Sequence, residues 1–137
     1  RSRIWIQDQV LDDKIFFIKE YAAAIDSYTL TLPKGRIDEG ELLLEAANRE
    51  LQEEIGFKSN NLTHVYTLDL APGYINHKTH VILAKGLVPS KLEGDEPEEL
   101  EVVEYKLSEV SHLLESNKNL DSRVIACLYI YENLKKK

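Results

Sequence analysis

The stretch that most restricts what this chain can fold into runs from Gly35 to Phe57, GRIDEGELLLEAANRELQEEIGF. Residues 41–55 contain no Gly, Pro or Thr, and apart from Asn48 and Ile55 they are good helix formers. They predict a helix of about four turns that starts near Glu41 and stops at Gly56, where a left-handed cap belongs. Glu50, Glu53 and Glu54 are then related by steps of three and four and project to one side. Three like charges repel, so such a cluster is either fully solvated or neutralised by a divalent cation, and hard cations such as Mg²⁺ prefer carboxylate and carbonyl oxygens. Arg49 stands four residues from both Glu45 and Glu53 and can pair with either, holding a carboxylate in place. On its own, a Glu-rich helix reads equally as a solvated face.

The chain has 137 residues and a net charge of −7, with 43% hydrophobic content. That is the size of one domain with a proper core, and residues 1–137 are taken as such. No apolar run approaches a membrane span, and the acidic balance argues against general nucleic-acid binding, which needs a basic surface. Cys127, the one cysteine, has no internal partner and reads as a small core residue. With no visible signal peptide, the expected setting is a reducing, cytoplasmic one. The acids are not evenly spread: of 24, seven lie between Asp38 and Glu54 and seven between Glu93 and Glu104. If both stretches line one site, bound cations turn a repulsive pocket into one that attracts a phosphate anion. The plainer reading of GDEPEEL is a solvated acidic loop.

Arg1 to Val10 reads as loosely extended. Lys14 to Tyr21 reads as a strand buried on both faces, because Ile15, Phe16, Phe17 and Ile18 run without a break. Further strands are expected over Tyr28 to Leu32, over 62–70 with Leu62, His64, Tyr66, Leu68 and Leu70 on one face, over Thr79 to Leu87, and over Val102 to Leu107. Ser108 is placed as the cap of a short helix through Glu115, and Asp121 as the cap of a longer one through Lys135. In the latter, Val124, Leu128 and Tyr131 form the core stripe with Ile125 beside it. The order of elements predicts an α+β fold, an α/β/α sandwich with a mixed sheet covered on both faces.

Gly35, then five residues, Glu41, then seven residues, then Arg49-Glu50-Leu51-Gln52-Glu53-Glu54-Ile55-Gly56-Phe57 is the full signature box that the Nudix hydrolases share, and the chain resembles that family. The resemblance implies the Nudix fold with its loop-helix-loop, and a site that binds Mg²⁺ or Mn²⁺. Glu50 and Glu54 are implied as the main metal ligands, with Glu53 as a further or water-mediated one and a backbone carbonyl near Lys34 or Gly35 as another oxygen donor. Arg49 and Glu53 enter the catalytic set on the same ground. Members similar to this chain carry a hairpin and a further apolar strand between segments like RSRIWIQDQV and LDDKIFFIKEYA, which are joined directly here. The N-terminal region is therefore expected to be incomplete between residues 10 and 11. In related enzymes it serves subunit exchange and holds adenine, which implies a homodimer.

LEGDEPEELEVV, EAANREL and KEYA are similar to the ADP compounds hydrolases of the NudE type, and Pro72 in APGY, fifteen residues beyond Phe57, resembles a mark of the ADP-ribose pyrophosphatases. A proline there is also simply a turn. The implied reaction is metal-dependent hydrolysis of the diphosphate linkage in ADP-linked compounds, such as ADP-ribose, NADH or diadenosine polyphosphates, releasing AMP. The alternatives are a nucleoside triphosphate or sugar-nucleotide pyrophosphatase and a non-catalytic nucleotide-binding module. In the subgroup a loop glutamate activates the attacking water. EPEEL matches that loop, giving Glu98 as the base with Glu96 and Glu99 as alternates, although Pro97 departs from the pattern. Arg36 and Lys34 are candidates for a phosphate contact or are solubilising charges. Tyr28 and Tyr74 are candidates for a nucleobase or ribose contact or are rim residues. His64, His77, His80 and His112 show no metal-ligand spacing and receive no catalytic role.

Overall fold

The computed structural model describes residues 3–9, 14–94, 100–116 and 119–136, with only the backbone described over 3–9 and at 14 and 107. Its strands are β1 (Arg3–Gln9), β2 (Lys14–Ala22), β3 (Ser27–Thr31), β4 (Lys34–Arg36), β5 (Phe57–Asp69), β6 (Lys78–Pro89) and β7 (Glu101–Lys106). The helices are α1 (Leu43–Glu54), α2 (Leu113–Ser116) and α3 (Ser122–Lys135).

The strands make two sheets where one was expected. A four-stranded mixed sheet has the order β4-β1-β6-β5, and a three-stranded antiparallel sheet has the order β3-β2-β7. β1 is the link in the first: it runs antiparallel to β4 and parallel to β6 over seven residue pairs. Alternation along β2 and β6 divides the core in two. Phe16 and Ile82 pack with Ala46, Ala47 and Leu51 of α1, whereas Ile15, Phe17 and Val81 pack with Leu113, Val124 and Cys127 of α2 and α3. Helices thus cover both faces, as the sandwich requires. The unbroken apolar run of β2 is explained by this double burial, with Ile15 to Phe17 and Ile18 all at most 5% exposed.

Where local details depart from expectation, a tertiary contact decides. α1 begins at Leu43, because Glu41 is used in the preceding loop. It ends on Ile55, and Gly56 follows at φ +77° with its N–H on the Leu51 carbonyl, the left-handed reversal that glycine tolerates. Asn48, a weak helix former, is held by its amide: Nδ2 donates to the Ser59 carbonyl at 3.0 Å and Oδ1 accepts from the Ser59 N–H at 2.9 Å. Along β5 the expected alternation breaks at a register shift between His64 and Tyr66. Leu62 then packs on the α1 side, while Val65 and Leu68 pack on the α3 side. Lys34–Arg36, outside every expected strand, pairs with β1. Ser108 caps nothing: residues Leu107–His112 form a 3₁₀ turn, and the Glu109 carboxylate accepts the Lys106 N–H instead. Asp121 does cap α3, accepting the Arg123 N–H at 2.8 Å. In α3 the buried positions are Val124, Cys127 and Tyr131, and Ile125 is exposed.

Candidate active site

The site is built where α1 crosses β4. Glu50, Glu53 and Glu54 leave the last turns of α1 on the side facing Lys34 to Arg36, and the cluster centres on Arg49. Glu41 grips that guanidinium with two oxygens, accepting from Nε at 2.7 Å and from an Nη at 3.0 Å, in the fork geometry that suits arginine and carboxylate. The other Nη donates to Glu50 at 2.9 Å and to Glu53 at 3.2 Å. A further bond reaches the Arg36 carbonyl at 3.1 Å, and Asp38 lies 3.4 Å away. Of the two partners expected for Arg49, Glu53 is therefore found. Glu41, eight residues back in the loop, takes the place given to Glu45.

The two deepest carboxylates have different supports. Glu50 lies flat against Gly35: a Cβ at that position would stand 1.9 Å from the Glu50 carboxyl carbon, so no larger residue leaves the carboxylate where it is. Glu54 accepts the Lys34 N–H at 2.8 Å. The Lys34 side chain turns away to Glu20 on β2, at 2.8 Å. Burial pushes the Glu50 carboxyl up to about 7, against the pull of Arg49, and holds Glu54 well above the usual carboxylate range, helped by the charge of Glu50. Glu41 goes the other way, lowered by its bonds to Arg49, and Arg49 is raised by Glu41. Two half-buried acids therefore lack enough positive charge among their neighbours.

That imbalance is what a divalent cation corrects, and carboxylate and carbonyl oxygens are the donors a hard cation takes. Among the described residues no three Asp, Glu, His or Cys side chains already stand in a ligating group. Glu53 and Glu54 are turned to Arg49 and Lys34 instead.

The remaining expected residues are placed as follows. Arg36 offers its carbonyl to Arg49, and its side chain is exposed. Pro72 and Tyr74 lie in the β5–β6 connection, a turn in which the Tyr74 N–H reaches the Ala71 carbonyl at 2.9 Å, and Tyr74 is 93% exposed. Tyr28 sits on the wrong side for the carboxylates. It shares the β3 face of Leu30, which packs under α3, and its ring meets Tyr21 and Lys19. Glu96, Glu98 and Glu99 lie outside the described residues. The chain does approach the site on entering that loop: the Leu92 N–H donates to the Gln52 carbonyl and the Lys91 ammonium to the Glu53 carbonyl, both at 3.2 Å. Cys127 is buried, its thiol pushed up to about 12 by burial, which suits a core residue and not a nucleophile.

Sequence reasoning missed the anchoring by Glu41 and the presence of Glu20. Both act from outside the helix, where spacing along α1 says nothing. It also missed His64 and His80, which stand sixteen residues apart in the chain and meet across β5 and β6 with rings 5.1 Å apart. Only the strand register joins them.

The chain is 43% identical over 121 residues to the ADP compounds hydrolase NudE of Escherichia coli, covering 88% of this chain and 65% of that one. It is 32% identical over 114 residues to an ADP-ribose pyrophosphatase of Bacillus subtilis, covering 82% and 62%. This chain thus spans somewhat less than two thirds of the length of these relatives. A crystal structure of an ADP compounds hydrolase superposes with a TM-score of 0.91 at 40% identity, over 98% of this chain and 72% of that one. Residues 7–128 match the family model described as NUDIX domain, and with the box residues gathered around Arg49 and Gly35 the chain belongs to the NUDIX family.

Proposed function

We propose that this protein is a divalent-metal-dependent hydrolase that cleaves the diphosphate linkage of ADP-linked compounds, such as ADP-ribose, NADH or diadenosine polyphosphates, releasing AMP. The observation that carries the reading is the pair of largely desolvated, under-neutralised carboxylates, Glu50 and Glu54, beside Gly35 and Lys34. Similarity to NudE and to an ADP-ribose pyrophosphatase supplies the substrate class.

Glu50 and Glu54, with Glu53 and a carbonyl of the Lys34–Gly35 segment, would hold Mg²⁺ or Mn²⁺. Such an ion supplies charge neutralisation of the diphosphate and a more acidic attacking water. Arg49 holds Glu50 and Glu53 in place and is itself held by Glu41. Water attacks one phosphorus, the bond from that phosphorus to the bridging oxygen breaks, and the proton passes to a carboxylate of the 93–99 loop, for which Glu98 is the residue proposed. The docking of Lys91 and Leu92 on the C-terminal turn of α1 supports delivery of that loop to the site. Arg36 is proposed to meet a phosphate, and Pro72 and Tyr74 to border the nucleoside. Tyr28, on the face of β3 that Leu30 turns to α3, is given no contact in this assignment. A homodimer is proposed from the family resemblance alone, and a cytoplasmic setting from the single free thiol of Cys127, which a reducing compartment preserves. Among the described residues no helix is long and apolar enough to cross a membrane.

The test is a panel of ADP-ribose, NADH, diadenosine triphosphate, ADP-glucose and dATP, incubated with protein and Mg²⁺ and resolved by product. AMP from the ADP-linked compounds is expected, with Glu50→Gln and chelator each abolishing it. Turnover of dATP alone would replace the substrate class, and no turnover of any compound would remove the enzyme reading. Glu98→Gln is expected to lower kcat by roughly two orders of magnitude or more with metal affinity little changed.

A further inference from the structure

One side-chain cluster is absorbed by nothing above. His64 Nε2 and His80 Nδ1 both lie 3.0 Å from Thr67 Oγ1, and the two imidazoles meet edge to face. The strand register fixes where this cluster stands. Gly35 of β4 pairs with Ile4 of β1, Ile4 with His80 of β6, and His80 with Thr67 of β5, so these four residues form one row across the sheet. Directly paired residues share a face. The face is the one from which the absent Cβ of Gly35 would strike Glu50. Ile82, paired with His64, packs under α1 on this same side. The histidine cluster and the α1 carboxylates therefore occupy one surface. Two strand spacings separate them, about 10 Å.

We propose that His64, Thr67 and His80 form a second subsite that binds the vicinal hydroxyls of a ribose attached to the diphosphate. This inference rests on the reaction proposed above. A diphosphate held at Glu50 and Glu54 reaches across two strand spacings with one attached ribose. Each imidazole has one nitrogen turned to Thr67, that of His64 also meeting the Tyr66 carbonyl at 2.9 Å, and one left for a ligand, and His64 is exposed while His80 is half-buried. His80 is lowered from its ordinary range by burial and by its neighbours His64 and Lys78, so near neutrality it is an uncharged group suited to a diol. Lys78, two residues along on the same face, is held by Asp69 at 2.7 Å. The connection bearing Pro72 and Tyr74 leaves this same end of the β5–β6 hairpin. The sugar thus lies between the carboxylates and that turn.

The test compares His64→Ala, Thr67→Val, His80→Gln and the conservative Thr67→Ser on ADP-ribose and on two analogues, each lacking the diol of one ribose. Removing the relevant diol is expected to raise the wild-type KM roughly five- to tenfold. Each of the first three variants is expected to raise KM for ADP-ribose by a similar factor, more than it lowers kcat, and to show no further loss on that analogue. Thr67→Ser restores the wild-type pattern. Losses that simply multiply, or unchanged KM values, would overturn the subsite while leaving the hydrolase intact. Imidazole proton resonances, assigned with the variants and followed on adding ribose 5-phosphate, read the subsite without turnover. Shifts at His64 and His80 in a protein that cleaves no ADP compound would keep the subsite and remove the reaction. An absence of shifts together with uncoupled KM values overturns the subsite.

Discussion

Gly35 is the residue at which the box is most demanding, and its demand is for space. Its φ is ordinary, but the Glu50 carboxyl occupies the place where a side chain would begin. The obstructing atoms are the far end of a flexible side chain, so Gly35→Ala is expected to fold with a melting temperature close to wild type. It should nonetheless lose Mg²⁺ affinity and activity by roughly two orders of magnitude or more, because Glu50 is displaced. Denaturation and metal titration on one sample check this, and a variant that kept its metal affinity would show that Glu50 binds from another position. The spacing of the glutamates was legible in the sequence because helix geometry converts spacing into direction. The reason for a glycine at 35 was not, since the atoms that need the space come from fifteen residues later. Glu41 was legible as a fixed position, but its partner was not: Arg49 is reached through a loop that obeys no period.

At the scale of elements, α1 is held less by its intrinsic propensity than by two seams. One is apolar, with Ala46, Ala47 and Leu51 fully buried against Phe16, Ile82 and Ala84. The other is the pair of bonds from Asn48 to the main chain of Ser59. Asn48→Ala improves helix propensity, yet is expected to destabilise the fold by about 1–3 kcal/mol, since the main-chain groups of buried Ser59 lose their partner. Urea denaturation measures it, and a stabilised variant would show that propensity outweighs the seam. Sequence patterns found α1 and α3 as runs of helix-forming residues bounded by Gly56 and by the Asp121 cap, and β2 and β6 as apolar runs. They missed β4, too short for a period, and the break in β5, where an irregularity of register re-aims the side chains.

For the whole molecule, the site's own charge opposes its folding until a cation arrives. The Glu50 carboxyl titrates near 7 in the folded protein and near 4.5 when unfolded, so the folded state binds this proton more tightly. In chelator, stability is therefore expected to fall as pH rises from about 4.5 to 7, by no more than about 3 kcal/mol from this group. Glu54 contributes in the same direction. Glu41 is lowered, so its stabilisation is lost only as pH falls below its unfolded value, outside that window. Saturating Mg²⁺ or Glu50→Gln should flatten the slope. A pH series of melting curves with and without metal decides it, and stability that rises between pH 5 and 7 in chelator would contradict the burial of Glu50. The parallel pairing of β1 with β6 bears on the same molecule in another way. β1 touches β4 on one side and β6 on the other, so it works as a caliper whose two jaws are Gly35 and His80. A slip of one residue on the β6 side alone would move that jaw about 3.3 Å and turn His80 to the opposite face of the sheet. Tolerance to insertion within β1 should consequently be far lower than its lack of an assigned site residue suggests, because what the strand contributes is a length.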